Sequence, residues 1–106
     1  MQSYYVEYNY PQWSEGGGFK SSPDYYSYKH IVIKAQNIDN LRLRLIKEVA
    51  KGKPFRSHIY KLGMSGVPNY DAKIGDFYNY RDGYIWFIRD TGKGWKVNPD
   101  NGRRLI

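Results

Sequence analysis

Apolar and polar side chains alternate along most of this chain, and one stretch breaks the alternation with helical spacing. In residues 3–10, Tyr4, Val6, Tyr8 and Tyr10 fall on one side of an extended backbone, with Tyr5, Glu7 and Asn9 on the other. Successive strand residues point to opposite faces, so this spacing predicts a half-buried strand. Pro11 cannot donate to a ladder and ends it. Residues 11–24, with Gly16-Gly17-Gly18 and Ser21-Ser22-Pro23, are expected to form a flexible loop. A second strand is expected over residues 25–36, through His30-Ile31-Val32-Ile33-Lys34.

Residues 38–51 carry the helical spacing. Ile38, Leu41, Leu45 and Val49, flanked by Ile46, make one apolar stripe. Asn37 is placed to cap the helix, Asp39 complements the positive N-terminal end, and Gly52 with Pro54 stops it. Arg44, Lys47 and Lys51 fall on the opposite side. Arg42 lands beside the stripe, where its stem is expected to follow the core while its head reaches water. The strand-like run Leu41-Arg42-Leu43-Arg44-Leu45 competes with this assignment, but caps, length and stop signals favour the helix.

A third strand is expected at Phe55–Leu62, then a loop through Gly63-Met64-Ser65-Gly66-Val67-Pro68. Asp82-Gly83 lies between two aromatic runs, residues 77–81 and 84–88, as a two-residue hairpin turn requires. That turn would pair Arg81 with Tyr84, Tyr80 with Ile85, Asn79 with Trp86 and Tyr78 with Phe87. Tyr78, Tyr80, Ile85 and Phe87 then share one side, expected to be the core. Phe77, Asn79, Arg81, Tyr84, Trp86 and Ile88 share the other. Turn signals at residues 91–94 and 98–102 bracket further strands at residues 95–97 and 103–106. The order is ββαβ followed by an antiparallel β-meander. This is an α+β chain of one small domain, residues 1–106, with one helix on a twisted sheet.

Composition changes this picture in two ways. Twelve Tyr, three Trp and four Phe do much of the work that aliphatic residues do elsewhere. A tyrosine buries a ring but needs a partner for its hydroxyl, so it suits half-buried sheet faces and binding surfaces. The absence of cysteine excludes disulfides and thiolate-bound zinc, and fits a reducing compartment. No apolar run approaches a membrane span and no signal-peptide pattern opens the chain, so a cytoplasmic protein is expected, without a membrane partner.

Charge is the second. The net +7 is concentrated in residues 29–64, where nine Lys/Arg face two acids. That asymmetry points to an anionic partner. The expectation is a non-catalytic nucleic-acid-binding module. Arg44, Lys47, Lys51, Lys53 and Arg56 would meet phosphates, and Arg81, Tyr84 and Trp86 would stack on bases. A protein–protein effector docking on an acidic protein or a nucleoprotein is the alternative, because Tyr, Trp and Arg dominate interface hot spots. A second alternative is a small ribonuclease using His30 and His58 as acid and base, which requires adjacent strands and both side chains on one face. Gly16-Gly17-Gly18 lacks the spacing of a phosphate-binding loop, and no His/Asp/Glu group has metal-ligand spacing, so no cofactor and no metal are expected.

Overall fold

A six-stranded antiparallel sheet and one helix account for the residues that the computed structural model describes: 1–11, 28–80 and 83–105. The strands are β1 (Gln2–Asn9), β2 (Lys29–Ala35), β3 (Phe55–Leu62), β4 (Pro68–Asn79), β5 (Tyr84–Ile88) and β6 (Gly94–Lys96). Their spatial order is β2-β1-β3-β4-β5-β6. The architecture is the expected α+β one, with ββαβ leading into a meander. The glycine-rich connection, the first residues expected for β2, and Arg81 and Asp82 of the hairpin turn lie outside the described residues. Among the described residues no helix is long and apolar enough to cross a membrane.

The helix begins as α1 (Ile38–Arg44) and continues as a π-helical segment, Leu45–Ala50. Asn37 caps it as expected: its side-chain Oδ1 accepts from the Asn40 N–H at 2.9 Å. The wider π turn, closed by Lys51 N–H to Ile46 O at 3.0 Å, lets the neighbours Leu45 and Ile46, and then Val49 and Ala50, all bury. Lys51 closes the segment in the left-handed region, at φ 50°.

The helix covers a single side of the sheet. Leu41, Leu45 and Val49 share one core with Tyr4, Val6, Ile33, Phe55, Ile59, Phe77 and Trp86. The hairpin's expected inner and outer sides are therefore exchanged. Phe77 and Trp86 are buried beneath the helix, while Tyr78 and Phe87 lie on the side it leaves bare.

The hairpin register also differs from expectation. Asn79 pairs with Tyr84, Tyr78 with Ile85 and Phe77 with Trp86, a shift of two residues. A shift of two keeps every side chain on its face, so the partition read from the sequence survives. Packing sets the register: the Phe77 and Tyr84 rings stack at 5.5 Å, and the Trp86 indole lies over Gly75.

Arg42 departs furthest from expectation. Its head does not reach water; the residue is 4% exposed. Nε donates to the Gly102 carbonyl at 2.7 Å, and Nη2 pairs with Asp39. The guanidinium lies over the Trp86 and Trp95 rings, which are cross-strand neighbours. Gly102 can come this close only without a side chain, since a Cβ there would stand 2.2 Å from the Asp39 carbonyl oxygen.

Candidate functional site

The face of the sheet turned away from the helix carries three cross-strand rows, which we call the open face. Antiparallel pairing puts residues that stand opposite one another on the same side, so each row follows from register alone. The first row is Asn9, Arg56, Tyr78 and Ile85. The second is His30, Glu7, His58, Asp76 and Phe87. The third is Val32, Tyr5, Tyr60 and Lys73.

A bulge makes the third row meet the second. Ile59 pairs with Gly75 but Tyr60 pairs with Lys73, so Ile74 is an extra residue in β4. Ile74 packs against the core and Lys73 swings to the open face. Its Nζ then reaches Asp76 Oδ1 at 2.6 Å. Strict alternation would have sent Lys73 to the opposite side.

His58 is held from both ends. Nδ1 lies 2.6 Å from Asp76 Oδ1, and Nε2 lies 3.2 Å from the Tyr28 hydroxyl. Burial pushes the Asp76 carboxyl up, but hydrogen bonds from His58 and Lys73 outweigh it and hold the group below the usual carboxylate range. Lys73 Nζ stands 3.1 Å from the same Nδ1 but 2.6 Å from Asp76 Oδ1, so it donates to the carboxylate. We assign the Nδ1 contact of the ionised Asp76 to a protonated Nδ1. In the neutral ring Nε2 is then the acceptor, and Tyr28 donates to it. Tyr28 precedes β2, and β1 lies between β2 and β3. Its phenol therefore crosses over β1 to reach His58.

Aromatic rings surround this cluster. Tyr5 stacks on His30 with 5.8 Å between centroids, and Tyr60 meets Tyr70 edge-on at 5.1 Å. Arg56 lies over the Tyr78 ring at 5.6 Å. Burial, then the Asp76 charge, pushes the Tyr78 phenol up to about 12, so it stays a neutral donor at physiological pH. Among the described residues no carboxylate pairs with Arg56. Its Nε and both amide atoms of the neighbouring Asn9 are buried without a hydrogen-bond partner there.

The cationic residues singled out from the sequence do not form one ridge. Arg44 is held by Glu48, Nη2 to Oε2 at 3.0 Å, and donates to the Lys34 carbonyl. Lys47 and Lys51 are exposed on the helix, and Lys53 lies over the Tyr10 ring. Arg56 is on the other side of the sheet. Of the expected stacking residues, Trp86 is 4% exposed and Tyr84 is stacked on Phe77 on the helix side. Both are part of the packing, and Arg81 lies outside the described residues.

The histidines meet one of the two conditions set for them: both lie on one face, but His30 on β2 and His58 on β3 are not on adjacent strands, since Glu7 of β1 stands between them. Glu7, Asp76, Lys73, Tyr28, Tyr5 and Tyr60 were not singled out from the sequence. Alternation does place Tyr5 with Glu7, and His58 with Tyr60, but joining those pairs needs the strand order.

A shallow groove of about 440 Å³ between β2 and the helix, lined in part by Met1, Gln36, Asn40 and Leu43, lies away from this cluster. Among the described residues no three His, Cys, Asp or Glu side chains group as metal ligands would. Comparison with known proteins finds no matching family model, and no curated protein or solved structure significantly similar to this chain.

Proposed function

We propose that this domain binds single-stranded nucleic acid, RNA in particular, on the open face. The observation that supports it best is an antiparallel sheet face, not covered by the helix, that carries Tyr5, His30, Tyr60, Tyr70 and Tyr78, with the Arg56 guanidinium over the Tyr78 ring. Unpaired bases stack on such rings whatever their identity, and a guanidinium close to them neutralises a phosphate. Half-buried rings suit this role because their neighbours already hold them in place. Little rotamer freedom is then left to lose on binding.

The helix cations have a different task in this reading. Lys47, Lys51 and Lys53 raise the positive potential of the whole domain and speed encounter with a polyanion, without touching the bases.

The experiment is a salt titration of binding to a single-stranded oligoribonucleotide. Affinity is expected to fall steeply with salt. Tyr60→Ala is expected to weaken binding by roughly 5- to 150-fold, the range of one lost base stack, and Lys47→Ala by far less. Binding indifferent to salt, or unaffected by Tyr60→Ala, would end this reading.

A further inference from the structure

We infer that the open face also cleaves the RNA it binds, with His58 as base and His30 as acid in attack by the ribose 2′-hydroxyl. This rests on the RNA-binding reading and adds a reaction to it.

Glu7 pairs with His30 on one side and with His58 on the other, so the two imidazoles rise from one face with a single strand between them. Two strand spacings separate their backbones by roughly 9–10 Å. In-line displacement at phosphorus exchanges two oxygens on opposite sides of the atom. A phosphodiester lying across β1 would bring one of these oxygens to each imidazole.

The two histidines are not equivalent. Asp76 holds the Nδ1 proton of His58, which turns the Nε2 lone pair outward as a base requires. That lone pair already receives a hydroxyl, from Tyr28 at 3.2 Å. A ribose 2′-hydroxyl that displaced Tyr28 would take the same bond. His30 is exposed and stacked on Tyr5, open to the leaving group. Arg56, in the neighbouring row on β3, supplies positive charge on the same face as the phosphorane becomes more negative, while Lys73 is held by Asp76 on β4.

The step balances without a co-reactant. His58 Nε2 takes the 2′-hydroxyl proton, and the 2′-oxygen bonds to phosphorus. The bond from phosphorus to the 5′-oxygen breaks, and that oxygen keeps the electron pair and takes a proton from His30. The products are a 2′,3′-cyclic phosphate and a free 5′-hydroxyl. Proton exchange with water resets both rings.

The test uses the full chain with a single-stranded oligoribonucleotide and its 2′-O-methyl counterpart, which stacks and carries phosphates but has no nucleophile. The expected result is cleavage of the first to a 2′,3′-cyclic phosphate, and binding of the second without cleavage. His58→Ala is expected to lower kcat about 100-fold or more while 2′-O-methyl binding is retained. His30→Ala is expected to lower kcat to a similar extent, with 2′-O-methyl binding weakened only by the loss of one ring of the face. His58→Gln, closer in shape, guards against loss of the fold. Asp76→Asn, at a positioning residue, is expected to shift the pH profile of kcat as well as lower it. Glu7, Tyr28, Arg56, Lys73 and Tyr78 also face His58 and shape that profile.

RNA that is bound but left intact would overturn the inference and leave the binding reading standing. Cleavage that survives His58→Ala would also overturn it. Cleavage lost in Glu7→Gln but kept in His30→Ala would remove His30 from its role. Failure to bind the 2′-O-methyl strand would sink both readings together.

Discussion

The Arg42 guanidinium stands 4.7 Å from the centroid of the Trp95 ring. Trp86, the cross-strand neighbour of Trp95, lies at 5.3 Å, and Asp39 and the Gly102 carbonyl accept the guanidinium's hydrogen bonds. A cation taken out of water needs this full set of partners. The contact ties the middle of the helix to β5, β6 and the C-terminal turn at once, so a charge drawn from the cationic third of the chain serves the fold.

Arg42→Ala is therefore expected to cost about 2–5 kcal/mol of stability, the range for truncating a large buried side chain, since the Asp39 left behind is exposed enough to be hydrated. Arg42→Lys should recover little of this, because an ammonium cannot lie flat over two indoles or donate in the same fork. Urea unfolding of the three proteins measures both.

Gly75 makes a similar point for β4. A Cβ there would stand 2.3 Å from the Phe87 carbonyl oxygen and 2.7 Å from the Trp86 indole. Gly75→Ala is expected to lose about 1–3 kcal/mol, as overpacking does. Loss of near-ultraviolet circular dichroism from the displaced indole should accompany the lower Tm.

Asp76 makes stability depend on pH in acid. Its carboxyl is held below its ordinary value in the folded protein, so near pH 4 the unfolded chain binds more protons than the folded one. The resulting stabilisation is complete above the unfolded value of about 3.9, and it is lost as pH falls through the folded value. Asp76→Asn removes it. The Tm gap between wild type and variant is expected to close as pH falls from 5 toward 2; a gap independent of pH would contradict this.

Lys51 sits in the left-handed region at φ 50°, where a side chain is crowded and glycine is not. Lys51→Gly is expected to raise stability by about 1 kcal/mol. RNA affinity at moderate salt should hardly change, because this lysine lies on the helix side. Thermal melts and the salt titration on one variant separate the backbone effect from the charge effect.

Local pattern alone determined a large part of this protein. The bounds of β3, the helix start at Asn37 and the sorting of hairpin side chains into two sets all follow from periodicity and capping chemistry. Period-two alternation separates two faces but does not say which one is covered. Both faces of this hairpin carry large rings, so hydrophobicity could not break the tie. Only the packed helix assigned Phe77 and Trp86 to the core and left Tyr78 and Phe87 on the open face. The Ile74 bulge, the burial of Arg42 and the row from His30 through Glu7 and His58 to Asp76 belong to the tertiary structure for the same reason. Each depends on contacts between segments far apart in the chain, and no local spacing encodes which strand will lie beside which.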